Sequence, residues 1–198
     1  MLRTSKSMKN YSLDAEDGKI GKCKDFLFDD FEWTIRYMVA DTGSWIPGRE
    51  VLLTPLSLGM PNDENDSIPV HLTKKQIEDA PSVESDKPIS RQYEMEMYTY
   101  YGYQIPTTWP YAEGYPYLTT PKEEAEKRFA DTARGDPHLR SAKEVSGYHI
   151  EASDGEIGHI EDFLVEDDNW RIRYIVVDTR NWLPGKKVLI APAWIEKI

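Results

Sequence analysis

Trp33-Thr-Ile-Arg-Tyr-Met-Val-Ala-Asp-Thr42 and Trp170-Arg-Ile-Arg-Tyr-Ile-Val-Val-Asp-Thr179 are two versions of one stretch, 137 residues apart. In both, Trp, Ile, Tyr and Val fall on alternate positions, the period of two of a half-buried β-strand. Working outward, the same offset aligns residues 2–58 with 139–195 without a gap, and 26 of the 57 paired positions are identical. Upstream lie Asp17-Gly-Lys-Ile-Gly21 and Asp154-Gly-Glu-Ile-Gly158, then Asp25-Phe-Leu27 and Asp162-Phe-Leu164. Asp-Gly is a hairpin-turn dipeptide, because glycine accepts the positive φ such turns need. Gly21 and Gly158 mark a bend or bulge inside a strand. Two copies are too few for a solenoid, so one small β domain is used twice.

Trp33, Ile35, Tyr37 and Val39, with their identical counterparts in the second copy, are expected to face the interior. Met38 and Ala40, matched by Ile175 and Val177, would then form an apolar outer face that needs cover. After the shared region the first copy continues with Ile68-Pro-Val-His-Leu72 and a capping-box helix start, Thr73-Lys-Lys-Gln76. The counterpart of residues 68–72 would be 205–209, beyond Ile198. The second copy is therefore expected to lack its final strand, unless the sequence is truncated or another segment fills the gap, and an exposed edge there would invite β-addition or homodimerisation. Between the copies, Tyr93, Met97 and Tyr101 fall on one face of a helix predicted over 90–101. Eight of the 12 tyrosines lie in 93–117, among prolines and glycines. Thr120-Pro-Lys-Glu123 opens a second predicted helix, mostly solvated, reaching about residue 133.

The net charge is −11, with 35 acidic against 24 basic residues. Affinity for nucleic acid comes largely from neutralising phosphates, so direct nucleic-acid binding is not expected, nor is attachment to an anionic membrane. Cys23 is the single cysteine, which excludes an internal disulfide. No apolar run is long enough for membrane insertion and the N-terminus has no signal-peptide core, so a cytoplasmic protein is expected.

Asp-Gly-x-Ile-Gly, Asp-Phe-Leu, Trp-x-Ile-Arg-Tyr and the closing Arg49-Glu-Val-Leu-Leu-Thr-Pro55 and Lys186-Lys-Val-Leu-Ile-Ala-Pro192 together resemble the PRC-barrel domain, over residues 2–80 and 139–198. That family includes the cytoplasmic domain of the photosynthetic reaction centre H subunit and the C-terminal domain of a bacterial ribosome-maturation factor. The resemblance implies a mainly β protein: two small antiparallel barrels, 1–82 and 137–198, joined by a Tyr/Pro-rich linker with short helices, 83–136. It further implies a non-catalytic module that docks on another protein or on itself. An accessory role in a photosynthetic or respiratory electron-transfer complex, or in ribosome assembly, is the alternative.

No catalytic residue, metal ligand or cofactor site is assigned. The histidines lack paired metal-ligand spacing, no Gly-x-Ser-x-Gly elbow or glycine-rich phosphate loop occurs, and acidic residues crowd turns, where Asp is a natural turn former. Asp25 with Arg36, and Asp162 with Arg173, are expected to form structural ion pairs that set strand register. The candidates for contact with a protein partner are the loop residues Trp45, Pro47, Trp182 and Pro184, with Tyr101, Tyr103 and Trp109 of the connector. Trp and Tyr are typical hot spots, although the simpler account of the loops is a tryptophan that plugs one barrel end beside a Pro-Gly turn.

Overall fold

A computed structural model describes residues 1–43, 45–47, 49–81, 91–103, 138–153, 155–179 and 186–195, with α3 side chains from Glu96 onward. The first copy contributes β1 (Leu2–Thr4), α1 (Ser5–Met8), β2 (Ser12–Ala15), β3 (Gly18–Asp29), β4 (Thr34–Asp41), β5 (Glu50–Leu53), β6 (Ser67–Val70) and α2 (Lys74–Glu78). Helix α3 (Arg91–Tyr101) follows. The second copy contributes β7 (Leu139–Ser141), α4 (Ala142–Val145), β8 (His149–Ala152), β9 (Gly155–Glu166), β10 (Ile172–Asp178) and β11 (Lys187–Ile190). The chain is mainly β, in curled, half-barrel sheets. The capping box that opens α2 forms as predicted, with Thr73 and Gln76 satisfying each other's backbone N–H groups. The second predicted helix, 120–133, lies outside the described residues.

Each copy lends its first strand to the other. In the first sheet, order β5-β4-β3-β2-β6, the long strand β3 pairs with β2 along its first half and with β7 of the second copy along its last residues. Reciprocally, β1 pairs antiparallel with β9, from Leu2 opposite Glu166 to Thr4 opposite Leu164. The two sheets also meet at the starts of β4 and β10. There Ile35 N–H donates to Trp170 O at 2.9 Å and Ile172 N–H donates to Trp33 O at 2.8 Å. Phe28 and Phe163 lie 5.2 Å apart, so one apolar core runs through both copies. A domain of this size is marginal alone, and the exchange gives each copy a core larger than its own residues could build.

The alternation of β4 does not persist along the strand. Phe28 is opposite Ile35 but Leu27 is opposite Tyr37, so Arg36 is an extra residue, a β-bulge. Arg173 is extra in the same way between Ile172 and Tyr174. One inserted residue flips every later side chain to the other face. Trp33 and Ile35 therefore point inward with Met38 and Ala40, while Tyr37 and Val39 belong to a separate cluster outside the main core. The expected inner set is corrected accordingly, as is the expected outer face: Met38, Ala40, Ile175 and Val177 are core residues. Trp33 and Trp170, just before the bulges, have φ of 55° and 58°, values a bulky side chain rarely adopts. Trp33 stacks on Phe28 at 5.6 Å, a packing contact that offsets the strain.

Candidate functional site

The outer cluster of the first copy draws on four strands. Tyr37 and Val39 come from β4, Leu52 from β5, and Leu27 of β3 and Leu139 of the exchanged β7 flank them. Met97 and Tyr101 of α3 lie on this face, so the helix predicted from its i, i+4 spacing has a definite seat. The corresponding residues of the second copy are Leu164, Tyr174, Val176, Leu189 and Leu2, identical at all five positions. Register places Tyr174 beside Leu164 and Val176 beside Leu189 on one face of the sheet. Here the face is open: Leu2 is 44% exposed, Tyr174 36% and Leu189 53%. An apolar patch duplicated residue for residue, covered once and uncovered once, is the candidate site among the described residues.

The tyrosine candidates sit on the covered copy. Tyr101, the last residue of α3, is half-buried against both clusters, and the Tyr103 ring lies 5.8 Å from its own. Burial pushes the Tyr103 phenol above its ordinary pKa, partly offset by a hydrogen bond with Ser57. Trp45 is half-buried against the main core, with the Lys74 ammonium 5.7 Å from its ring centroid. Arg49 fastens the same loop by donating to the carbonyls of Glu78 (2.6 Å) and Ala80 (2.5 Å). In the first copy this loop is thus tied to α2, and Pro47 is exposed. Trp109, Trp182 and Pro184 lie outside the described residues.

The expected Asp25–Arg36 and Asp162–Arg173 pairs do not form. The bulge sets Arg36 toward the end of β3, where it reaches Asp29 at 3.4 Å, and Arg173 reaches Glu166 at 3.7 Å. The two aspartates instead bind the exchanged arms. Ser141 Oγ and Lys143 N–H donate to Asp25 at 2.5 and 3.1 Å. Ser5 Oγ and Lys6 N–H donate to Asp162 at 2.6 and 3.1 Å. Sequence reasoning passed over a second reciprocal pair, Arg3 with Asp167 (2.7 Å) and Arg140 with Asp30 (2.9 Å). All four residues are identical between copies, which was the available signal.

Burial by itself would raise the Asp167 carboxyl pKa. Hydrogen bonds from the Met1 amine and Arg3 outweigh it and hold the carboxyl below its ordinary 3.8. A depressed folded-state pKa adds stability that is present above the unfolded value and lost as pH falls through the folded one. Asp167→Asn should therefore be less stable than the parent at neutral pH, and the gap should close below about pH 4. Urea denaturation at stepped pH checks this; an equal gap at every pH would remove the ion pair from the account.

Cys23 is buried, with its thiol pushed up to about 12 chiefly by burial, which suits a core side chain rather than a nucleophile. Among the described residues no group of three or more His, Cys, Asp or Glu side chains is placed to hold a metal ion. No described helix is long and apolar enough to cross a membrane. No family model matches the chain, and no curated protein is similar to it.

Proposed function

We propose that this chain is a tandem PRC-barrel protein that works as a non-catalytic docking module, and that the open sheet face of its second copy receives an amphipathic helix from a protein partner. One observation carries the reading: five identical apolar residues form the same face twice, and on the first copy α3 covers it with Met97 and Tyr101. The helix presents those residues four apart, the spacing that places two side chains on one helix face. A partner helix with Met or an aromatic at i and Tyr at i+4 matches the second face for the same reason. Exposure of Tyr174 and Leu189 makes them the anchor positions.

The test uses a synthetic peptide of residues 91–103 as the helical probe. Saturable binding is expected, with NMR shifts centred on Tyr174, Val176 and Leu189. Leu189→Asp, an exposed site whose change leaves the core intact, should weaken binding by at least about tenfold. A peptide that shifts no residue of this face, or binds Leu189→Asp unchanged, would remove the assignment.

A further inference from the structure

Two histidines of the second copy meet across a ladder that their spacing in the sequence does not reveal. His149 of β8 lies directly opposite His159 of β9. The adjacent rung is hydrogen-bonded, with Ile160 N–H donating to Tyr148 O at 2.8 Å, so the histidines form a non-hydrogen-bonded pair. The side chains of such a pair share one face of the sheet, with Cβ atoms about 5 Å apart or less. At that separation two imidazoles can reach one ion at the roughly 2.1 Å of a metal–nitrogen bond.

The two rings play different parts. Nδ1 of His149 sits 2.7 Å from Oε1 of Glu156, also on β9. With the Nδ1 proton donated to that carboxylate, the ring is held in place and Nε2 presents its lone pair, the arrangement that stands behind many metal-bound histidines. The His159 ring makes no hydrogen bond or ion pair among the described residues and is half-buried. It is therefore uncommitted beside an oriented neighbour. The His149 side chain is 69% exposed, which leaves room for water to complete a coordination shell.

The first copy supplies the contrast. The same rung pairs Ser12 with Lys22, and the position of Glu156 is held by Lys19. The backbone is alike, but two lysines and a serine repel or ignore a cation. In the second copy all three positions have changed together, to two imidazoles and a carboxylate.

We infer that His149 and His159 bind a divalent transition-metal ion such as Zn²⁺, Ni²⁺ or Cu²⁺, each through one ring nitrogen, with Glu156 orienting His149. Imidazole suits these ions, whereas Mg²⁺ and Ca²⁺ take oxygen ligands. Only two ligands come from the protein, so water fills the remaining positions and the ion exchanges readily. While bound, it cross-links β8 to β9.

The experiment titrates Zn²⁺ into the full chain, untagged and stripped of metal with a chelator. Binding is expected to saturate at one ion per chain. The imidazole NMR resonances of His149 and His159 should move, and those of His71 and His138 should not. His149→Ser and His159→Lys place the first copy's residues on the rung, where that ladder tolerates them. Each should weaken binding by about a hundredfold, because the second nitrogen no longer binds intramolecularly. Glu156→Ala, which removes only the orienting carboxylate, should cost about tenfold. Two results would overturn the inference: no shift of either ring at millimolar Zn²⁺, or binding that the His149→Ser and His159→Lys variants leave unchanged.

Discussion

Gly158→Ala is expected to destabilise the protein by about 4 kcal/mol, enough to unfold a marginal domain at ambient temperature. Gly158 lies within β9 at φ 146°, and Gly21 within β3 at φ 135°. A Cβ on Gly158 would fall far inside van der Waals contact distance of Asp178 O and 2.9 Å from Asp178 C; on Gly21 it would meet Asp41 in the same way. These contacts are with the backbone of the neighbouring strand, so no side-chain rotation relieves them. Gly155 separates the two costs: its φ is 138°, but nothing lies within 4 Å of an added Cβ. Gly155→Ala should therefore cost only the conformational strain, about 2 kcal/mol. Chemical denaturation of the two variants decides the point. If Gly158→Ala is no worse than Gly155→Ala, the close approach of β9 to the end of β10 is wrong.

Asp162→Ala, a change in the second copy, is expected to loosen the N-terminal arm of the first and to cost about 3 kcal/mol. The carboxylate is buried and takes hydrogen bonds from Ser5 Oγ, Lys6 N–H and Phe163 N–H. Alanine strands all three donors. Asp162→Asn keeps one acceptor oxygen and should recover part of the loss. The distinguishing readout is hydrogen exchange. Amides of residues 2–8 should lose protection in Asp162→Ala, and those of 139–145 should lose it in Asp25→Ala. Protection lost only within the mutated copy would contradict the exchange of arms.

Much of the fold was legible in the chain. The repeat, the hairpin that joins β2 to β3, the capping box of α2 and the face of α3 are local or periodic features, and local geometry follows from them directly. The β2–β3 turn itself is Glu16-Asp17, one residue earlier than the Asp17-Gly18 reading, with Gly18 opposite Ala15 in the ladder. The inner face of β4 was not legible from its alternation. The bulge at Arg36 adds one residue, and a strict period of two cannot show where an extra residue sits. Tyr37 and Val39 are identical in both copies because they build the duplicated outer face, not because they share a core. Trp45 was ambiguous for a related reason: a tryptophan beside Pro-Gly is apt either to plug or to present, and α2, through Lys74 and Arg49, decides for the first copy.

The pairing of charges depended on long-range structure as well. Identity between copies singled out Asp25, Arg36, Asp162 and Arg173, yet Asp25 turns to Ser141 and Asp162 to Ser5, more than a hundred residues away. The sequence by itself determined that one β unit occurs twice, with its Trp-x-Ile-Arg-Tyr strand in each copy and the helix start at Thr73 in the first. Only the tertiary structure decided that the arms cross. The arms are nearly the same sequence, and Arg3 and Arg140 would find an aspartate in either arrangement. No local interaction energy separates the crossed from the uncrossed form, so the choice falls to the path of the chain and to the continuous core that the crossing creates.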